Sequence, residues 1–271
     1  MKKSVMGLMT CFNRKEKTIH AVERLIKGNP ELQFYFMIVD AGSTDGTYEA
    51  LAGFPEVHLE RGDGSLFYSG GMRKAIELAK KQKEAFDYCL LFNDDVDFYD
   101  SAIEKLVEKE KSVIWVGPTC DEQGTLSYGG VIKKSAWRPK TEIVMGENAS
   151  GKECDTFNAN CVLIPWGIFK DLENIDDVYT HSMGDFDYGF SARKKGITIK
   201  VSDEYVGVCP DNPLQVSWRN SQLSRKERLR RKESPKGLPG KEWFHYLNKN
   251  YNLLTAILYS MIPYLRILVK K

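Results

Sequence analysis

The sequence predicts an α/β fold in which helices cover both faces of a mixed central sheet. Over the first hundred residues, short apolar runs alternate with helical patterns, which is typical of parallel β-α-β units. Several of these runs end in polar residues, and the carboxyl ends of parallel strands meet at one edge of a sheet. Beyond that point, strand-like pieces separated by glycine and proline indicate antiparallel additions. We therefore expect one mixed sheet rather than two separate domains.

In the first half of the chain, continuous apolar runs predict buried strands and three-to-four-residue apolar spacing predicts the helices between them. The predicted strands cover residues 4–12, 34–39, 57–59 and 88–92. The predicted helices cover residues 15–27, 45–51 and a segment that opens at Gly70-Gly71. Thr44 or Asp45 is the expected N-cap of the second helix.

In the second half, the same criteria predict shorter elements. Strands are expected at 113–116, 161–165 and 197–201, hairpins within 126–144, and helices at 101–111 and 183–195. A basic segment at 221–233 and an apolar segment at 253–269 follow.

The charge is distributed unevenly. Residues 219–271 contain 13 Lys or Arg and 3 acids, a balance of +10, whereas the whole chain carries +2, so residues 1–218 carry −8. A basic tail on an acidic body suggests an anionic partner, either a membrane surface or nucleic acid. Segment 253–269 contains one charge, Arg266, and one proline, Pro263, which favours an interfacial helix over a spanning one. We expect contact with an anionic membrane surface and no nucleic acid; docking of this segment onto the body is the alternative.

The cysteines show no CxxC pair and no zinc spacing, and most lie in apolar runs, which indicates reduced, buried thiols. They are Cys11, Cys89, Cys120, Cys154, Cys161 and Cys209. The N-terminus enters a strand-like run whose apolar part is too short for a signal peptide. The expected location is cytoplasmic, at the inner face of the plasma membrane.

An acidic cluster, Asn93-Asp94-Asp95-Val96-Asp97, directly follows the predicted strand at 88–92. Three carboxylates within four positions repel one another and need a counter-charge. Oxygen ligands of this kind suit Mg²⁺ or Mn²⁺ bridged to phosphates. The alternative is an acidic turn that caps the next helix.

Four motifs in order resemble those of inverting family 2 glycosyltransferases of the GT-A fold, in particular the bacterial enzymes that build surface polysaccharides with rhamnosyl or galactofuranosyl units. They are Thr10-Cys11-Phe12-Asn13-Arg14, residues 39–47 (VDAGSTDGT), Asn93-Asp94-Asp95 and residues 184–196 (GDFDYGFSARKKG). The resemblance covers roughly residues 4–210. It implies a Rossmann-like mixed sheet, a catalytic domain over 1–218 with a nucleotide-binding half (1–100) and an acceptor half (101–218), and a basic helical extension over 219–271.

The resemblance also implies roles for individual residues. A UDP- or dTDP-sugar donor would be held by Thr10, Cys11, Phe12, Asn13, Asp40, Ser43, Gly70, Gly71, Arg73, Asn93 and Asp94. Asp95, with Asp97 as a second candidate, would bind Mn²⁺ or Mg²⁺. Arg73 either adds positive charge to the phosphates or is a surface arginine.

Asp185 is the expected general base, which takes the proton of the acceptor hydroxyl as its oxygen attacks the anomeric carbon. Relatives have a Glu-Asp pair, but position 184 is glycine, so Asp187 stays an alternative. The two aspartates point in different directions on a helix, and only one is expected to face the site. The expected acceptor is a saccharide or a lipid-linked saccharide, and the basic tail would place the active site near a lipid-linked acceptor.

Other residues have two interpretations. Cys209 lies where some relatives have a histidine and is either a soft metal ligand or a buried thiol. His181 and His245 are either structural or ligands. Trp137, Trp166 and Trp218 either stack on acceptor sugars or lie in the core.

Two other functions are compatible with such a sheet. A sugar nucleotidyltransferase would need a glycine-rich, basic phosphate loop after strand one, and Cys11-Phe12-Asn13-Arg14 is not such a loop. A catalytically idle protein that binds nucleotide sugars and recruits a partner is the other alternative.

Overall fold

The structure is a computed structural model that describes residues 2–210 and 217–269. The first half contains β1 (Lys3–Cys11), α1 (Lys15–Gly28), β2 (Leu32–Asp40), α2 (Thr47–Leu51), β3 (Val57–Arg61), α3 (Phe67–Lys80), β4 (Tyr88–Phe92) and β5 (Asp97–Phe98). The middle contains α4 (Ala102–Val107), β6 (Ile114–Val116), β7 (Thr119–Cys120), β8 (Leu126–Tyr128), β9 (Gly130–Lys133), β10 (Thr141–Val144), β11 (Lys152–Glu153), β12 (Thr156–Phe157) and β13 (Cys161–Pro165). The remainder contains α5 (Trp166–Asp171), α6 (Gly184–Lys194), β14 (Ile199–Val201), β15 (Gly207–Val208), α7 (Arg225–Glu233), α8 (Gly240–Asn250) and α9 (Leu253–Val269).

The main sheet is mixed, as predicted, and it contains strands from both halves of the chain. Its order is β11-β14-β6-β13-β4-β1-β2-β3. Strands β1 to β4 run parallel, whereas β13 is antiparallel to both β4 and β6. Two small sheets, β10-β9-β12 and β5-β15-β7-β8, lie outside it. Within the predicted hairpin region 126–144, β9 and β10 pair antiparallel, whereas β8 pairs with β7 in the other small sheet.

The alternating side chains of β1 divide the core into two clusters, one on each face of the sheet. Met6 and Leu8 belong to one cluster with the apolar face of α3. Val5 and Met9 belong to the other cluster with the apolar face of α1. Helices therefore cover both faces, because each strand presents apolar side chains in both directions.

The carboxyl ends of the parallel strands meet at one edge, as predicted. Cys11, the last residue of β1, is in register with Asp40, the last residue of β2. On the other side, Leu8 of β1 pairs with Leu91 of β4, so β4 ends one residue beyond that pair, at Phe92. The polar residues that follow these three strands are thereby brought to a common edge.

Among the predicted helix bounds, those of α3 and α4 differ most from the structure. Helix α3 begins at Phe67, so the two glycines are its fourth and fifth residues rather than its start. Helix α4 ends at Val107 rather than near residue 111, because the following Glu-Lys-Glu-Lys run has no apolar side chain to bury.

The C-terminal helices pack against the body. Tyr246 and Leu247 of α8 and Ala256 of α9 are buried in the same cluster as Met6 and Leu8. The predicted apolar segment 253–269 is indeed a helix, α9, and one of its faces is docked. No helix in the described ranges is both long enough and apolar enough to cross a membrane.

Candidate active site

The loops that follow β1 and β2 are joined by hydrogen bonds. Asn13 adopts a left-handed conformation with φ of 51°, and its backbone N–H donates to Ser43 Oγ at 2.8 Å. The Asn13 amide oxygen accepts from the backbone N–H of Thr44 at 2.8 Å. Asp45 Oδ2 accepts from the backbone N–H of Lys15, the first residue of α1, at 3.0 Å. The two loops therefore form one unit.

Asp40 lies fully buried at the end of β2. Its Oδ1 accepts from the Ser43 backbone N–H at 3.0 Å and from Ser43 Oγ at 2.5 Å. Its Oδ2 has no hydrogen-bond partner in the described part of the chain. Leaving a buried acceptor unpaired costs about 1–3 kcal/mol. Such an oxygen suits a ring N–H or a ribose hydroxyl of a nucleotide.

The neighbours of Asp40 at the end of β1 differ in exposure. Burial and the nearby carboxylate of Asp40 raise the pKa of the Cys11 thiol, so it stays protonated. Thr10 Oγ1 donates to the carbonyl oxygen of Val39 at 2.9 Å. Phe12 is 49% exposed at the rim, where a nucleotide base can stack on its ring.

Helix α3 approaches this edge closely because of its second glycine. A Cβ on Gly71 would lie 2.1 Å from Thr10 Oγ1, so only glycine fits. A Cβ on Gly70 would meet Leu66 Cβ at 3.5 Å, an ordinary contact. The first turn of α3 thus abuts the predicted donor residues through Gly71.

Arg14 supplies the counter-charge of the acidic cluster. Its guanidinium lies 2.8 Å from Asp94 Oδ1 and 3.4 Å from Asp95 Oδ2. Asp94 is buried and also accepts from Thr18 Oγ1 at 3.0 Å. Burial raises the pKa of Asp94, and Arg14 opposes that rise. Sequence reasoning assigned no role to Arg14 or Thr18, although Arg14 follows Asn13 at the same strand end. Asn93 lies beside them, with its backbone N–H donating to the Asn160 carbonyl at 3.3 Å.

Asp97, the second predicted metal ligand, faces a different part of the surface. Its carboxylate lies 2.9 Å from His20 Nε2 and 3.6 Å from Arg24 Nε, both on α1, and its side chain is 62% exposed. Asp95 lies in a turn, whereas Asp97 begins β5, so the directions of the two carboxylates are not linked by the alternation of a single strand. The structure therefore gives Asp97 ion-pair partners on α1 instead of a place beside Asp95.

The residues around Asp95 can hold a divalent metal ion only with help from other ligands. In residues 2–210 and 217–269, no three His, Cys, Asp or Glu side chains converge on one metal position. The Asp95 side chain is 32% exposed. Mg²⁺ and related ions commonly take one or two carboxylates and complete their coordination with substrate phosphates and water. Asp95 fits that pattern.

Cys209 lies buried against Asp95, with Sγ 3.7 Å from Asp95 Oδ1. Asn160 Nδ2 donates to the sulfur at 3.5 Å. Burial, followed by the charge of Asp95, raises the pKa of Cys209 to about 12. Of the two interpretations of Cys209, the structure thus shows a buried, protonated thiol that donates to Asp95.

Asp185 lies in the first turn of α6. Its Oδ2 accepts from the Ala159 backbone N–H at 3.2 Å and its Oδ1 from the Phe186 backbone N–H at 2.8 Å. Burial raises the pKa of this carboxyl. A Cβ on Gly184 would lie 2.5 Å from Ser69 Oγ, so this position has no room for the glutamate that relatives carry.

Asp187 faces the opposite direction and is 2% exposed. Its Oδ2 lies 2.7 Å from Lys249 Nζ, and its Oδ1 accepts from Asn250 Nδ2 at 2.6 Å. The expectation that the two aspartates of α6 point differently is confirmed, and Asp187 is the one that holds α8.

The hydroxyl of Tyr68 lies within electrostatic range of both the acidic cluster and Asp185. Burial, then Asp185, then Asp95 raise the pKa of its hydroxyl, so both carboxylates act on the same group. The Tyr68 backbone N–H donates to His181 Nδ1 at 3.4 Å. Burial lowers the pKa of His181 to about 4, which keeps its ring neutral. Sequence reasoning missed Tyr68, because no motif indicates how closely α3 approaches α6.

Arg73 and His245 have structural contacts. The Arg73 guanidinium donates to the carbonyl oxygens of Ile175, Asp176 and Tyr179 at 2.8–3.1 Å. It orders the loop that leads to α6, rather than adding charge to a phosphate. His245 Nε2 lies 2.9 Å from the Asp176 carboxylate.

A cavity of about 400 Å³ opens beside the joined loops. Its wall is formed by Asn13, Arg14, Lys15, Glu16, Lys17 and Asp45. Three of these residues are cationic and two are acidic, and the amino end of α1 borders the space. The excess of cations and the helix end both favour an anionic group such as a phosphate.

The mixed sheet, with carboxylates at the ends of β2 and β4 and a third at the start of α6, is typical of the GT-A class of α/β proteins. Residues 8–157, more than half of the chain, match the family model "Glycosyl transferase family 2", and the chain belongs to this family. It is therefore a glycosyltransferase by family. A search of curated proteins finds no match.

Among solved structures, the chain is similar to the mannosyltransferase PcManGT from Pyrobaculum calidifontis in complex with GDP-Man and Mn²⁺. The TM-score is 0.54 and the identity 14%, over 99% of this chain and 74% of that chain. At this identity the likeness shows the fold alone, and it confirms the predicted GT-A fold.

Proposed function

We propose that the protein transfers a sugar from a UDP- or dTDP-sugar to a saccharide acceptor with inversion, in the presence of Mn²⁺ or Mg²⁺. The observation that carries this proposal is the pair Asp95 and Asp185. Both carboxylates act on the hydroxyl of Tyr68, and the pKa of Asp185 is raised. Such a transfer needs a carboxylate that binds the metal ion and a second carboxylate whose raised pKa suits it to act as the base.

The nucleotide binds at the ends of β1 and β2. Asp40 Oδ2, the unpaired buried acceptor, takes a hydrogen bond from the base or the ribose. Phe12 offers its exposed ring, and Asp94 accepts from the ribose once Arg14 turns towards the diphosphate. Lys15 and Lys17 line the adjacent cavity and favour the diphosphate by charge.

Asp185 acts as the general base. The acceptor hydroxyl gives its proton to Asp185 while its oxygen forms a bond to the anomeric carbon. The bond from that carbon to the diphosphate breaks on the opposite face, and the diphosphate leaves with the electron pair. Two backbone N–H groups hold the carboxylate in position, and its raised pKa makes it a stronger base than an exposed aspartate.

The metal ion, when bound at Asp95, supplies Lewis-acid stabilisation of the charge on the departing diphosphate. The similar mannosyltransferase was solved with GDP-Man and Mn²⁺, which supports a nucleotide-sugar donor and a divalent ion here.

The acceptor is, in this proposal, a lipid-linked saccharide of cell-surface polysaccharide synthesis, and the sugar is a rhamnosyl or galactofuranosyl unit. The basic segment 219–271 holds the protein at the inner face of the plasma membrane, where such acceptors are found. Its balance of +10 supports attraction to anionic lipids.

A donor screen that measures nucleotide release, with and without Mn²⁺, tests the proposal. We expect metal-dependent release from one UDP- or dTDP-sugar, faster with acceptor present, and loss of that release in Asp185→Asn. Unchanged turnover in this variant would remove the base assignment. Tight donor binding without any turnover would favour the idle binding protein.

A further inference from the structure

Helix α9 has one apolar face that nothing in the described part of the chain covers. Its other face is buried against the body through Thr255, Ala256, Pro263 and Ile267. The uncovered side chains, each 52–79% exposed, are Leu253, Leu254, Ile257, Leu258, Met261, Leu265, Leu268 and Val269. Their spacing of three and four residues places them on one side of the helix, which is about 25 Å long at 1.5 Å per residue. Contiguous apolar surface of this kind marks an interaction site.

A second element extends this surface. Trp137, in the turn between β9 and β10, is 66% exposed. Its carbonyl oxygen accepts from Thr255 Oγ1 in the first turn of α9 at 3.0 Å. The backbone of Trp137 therefore lies against the first turn of α9, and its exposed side chain is close to the amino end of that helix. Tryptophan is the side chain most typical of the boundary between lipid and water.

Exposed cationic side chains accompany both elements. Arg138 and Lys140 are exposed next to Trp137 in the same turn. In the C-terminal segment, exposed cations include Arg225, Lys226 and Arg230 of α7, Lys236 in the turn that follows, Lys241 of α8 and Arg266 of α9. Helix α9 contains no acid, and Glu227 and Glu233 of α7 are paired with neighbouring arginine or lysine. An apolar stripe within a cationic segment fits an anionic surface.

We propose that the exposed face of α9 and the side chain of Trp137 form one docking surface for an anionic lipid bilayer, with α9 lying along the headgroup region. A second copy of the chain fits less well, because pairing two such faces would bring together two segments that each carry +10. This inference rests on the membrane contact that is part of the proposed function and names the residues that make it. It adds the β9-β10 turn to that contact, although the charge and hydropathy of the tail do not indicate this turn.

Vesicle flotation tests the α9 face. The full chain is mixed at low salt with vesicles of equal parts phosphatidylglycerol and phosphatidylcholine, or of phosphatidylcholine alone. We expect flotation with the anionic vesicles and weaker flotation at high salt. In the double variant Leu258→Gln/Leu265→Gln, we expect partition to fall at least tenfold, since burying one leucine contributes about that factor. Tyr99→Gln, which changes a side chain 42% exposed between β5 and α4, is the matched control and should float like wild type.

Lipid-depth quenching tests Trp137. Trp115, Trp166 and Trp218 are buried and Trp243 is half-buried, so a bromine-labelled lipid should quench chiefly Trp137. We expect quenching on vesicle binding in wild type and its loss in Trp137→Phe, which keeps an aromatic ring and still floats. Quenching that persists in Trp137→Phe would exclude the β9-β10 turn from the surface.

Equal flotation of wild type and the double variant, with equal melting temperatures, would overturn the inference, as would failure of wild type to float. If wild type sediments as a dimer and the double variant as a monomer, the exposed face of α9 binds a second copy of the chain instead of a bilayer. Flotation is measured without a sugar donor and reports only membrane binding. Sugar transfer is measured separately, by nucleotide release in solution, so the two proposals can fail independently.

Discussion

At the scale of single residues, Asp95 and Asp97 show how position within a short motif decides chemistry. Asp95 lies between Arg14 and Cys209 and is one-third exposed, which leaves a carboxylate available to a metal. Asp97 pairs with His20 and Arg24 on α1. The acidic cluster thus contains a candidate metal ligand, Asp95, and, two positions later, Asp97, which forms surface ion pairs.

This difference predicts unequal effects of the same substitution. Asp95→Asn should abolish most of the Mn²⁺ or Mg²⁺ dependence of nucleotide release, because an amide oxygen carries no charge to hold the ion. Asp97→Asn, the matched control, should leave the metal titration unchanged. Titration of nucleotide release against metal concentration measures both. An equal shift in the two variants would mean that both carboxylates bind the ion.

Asp185 predicts a pH dependence. Burial raises its pKa, and only the deprotonated carboxylate accepts a proton, so kcat/KM should fall as the pH falls through that raised pKa. The pH at which kcat/KM falls should lie above about 3.9, which is the ordinary pKa of an aspartate side chain. In Asp185→Asn, turnover should fall about 10²–10⁴-fold. A pH–rate profile with acceptor present measures these effects.

Asp187→Asn is the control for Asp185. It removes the buried charge that pairs with Lys249, and since Lys249 is one-third exposed we expect a loss of about 1–3 kcal/mol of stability. Turnover per folded molecule should change far less than in Asp185→Asn. If Asp187→Asn lost turnover as completely while remaining folded, the roles of the two aspartates would be reversed.

These residues also show what a sequence can and cannot indicate about a site. The positions of Asp40, Asn13 and Asp95 were predictable because each lies at the end of a strand, or within three residues of it, at the common edge. Tyr68 and Gly184 were not, since their importance depends on contact between α3 and α6, which are more than a hundred residues apart in the chain. The sequence left Arg73 as either a phosphate contact or a surface arginine, whereas in the structure its guanidinium donates to backbone carbonyls of the loop 175–179.

At the scale of secondary-structure elements, the approach of α3 to β1 determines the shape of the donor site. Gly71 is the contact point, because a Cβ there would meet Thr10 Oγ1 at 2.1 Å. Gly70, one position earlier, has ordinary space. The sequence showed two equivalent glycines, and only the packing distinguishes them.

We therefore expect Gly71→Ala to cost about 1–3 kcal/mol through overpacking and to raise the KM for the donor, since Thr10 must move. Gly70→Ala should be neutral or slightly stabilising, because alanine favours a helix over glycine. Thermal melting and donor titration of the two variants measure the contrast. Equal effects would show that α3 shifts freely relative to β1.

Element bounds followed the sequence most closely where the apolar run is continuous. Strand β13 spans Cys161–Pro165 and helix α9 spans Leu253–Val269, both as predicted from such runs. Other bounds were predicted less well. Helix α4 is shorter than predicted because charged residues follow it, and the strand expected at 197–201 begins at Ile199 because the backbone N–H of Ile197 donates to the carbonyl of Ala192 in α6.

At the scale of the whole molecule, the C-terminal segment is part of the body on one side and free on the other. Tyr246, Leu247 and Ala256 lie in the same apolar cluster as the central sheet. Lys249 crosses to Asp187 and Lys133 Nζ donates to the Asn250 carbonyl. Charge and hydropathy predicted a tail with an affinity for anionic surfaces, but the burial of α8 depends on tertiary contacts that those patterns do not contain.

A molecule built in this way should unfold as one unit. Losing α8 would leave Asp187 buried without its cation and would expose the apolar cluster, so the tail cannot detach at low cost. We expect urea unfolding of the full chain to give coincident transitions by far-ultraviolet circular dichroism, which follows the sheet and helices, and by tryptophan fluorescence, which includes Trp243 on α8. The difference between wild type and Trp243→Phe isolates the α8 signal. An earlier transition confined to that signal would show that α8 and α9 form an independent extension. Coincident transitions would show that α6, which carries the proposed base, and α9, which carries the proposed lipid-facing side, belong to one cooperative structure.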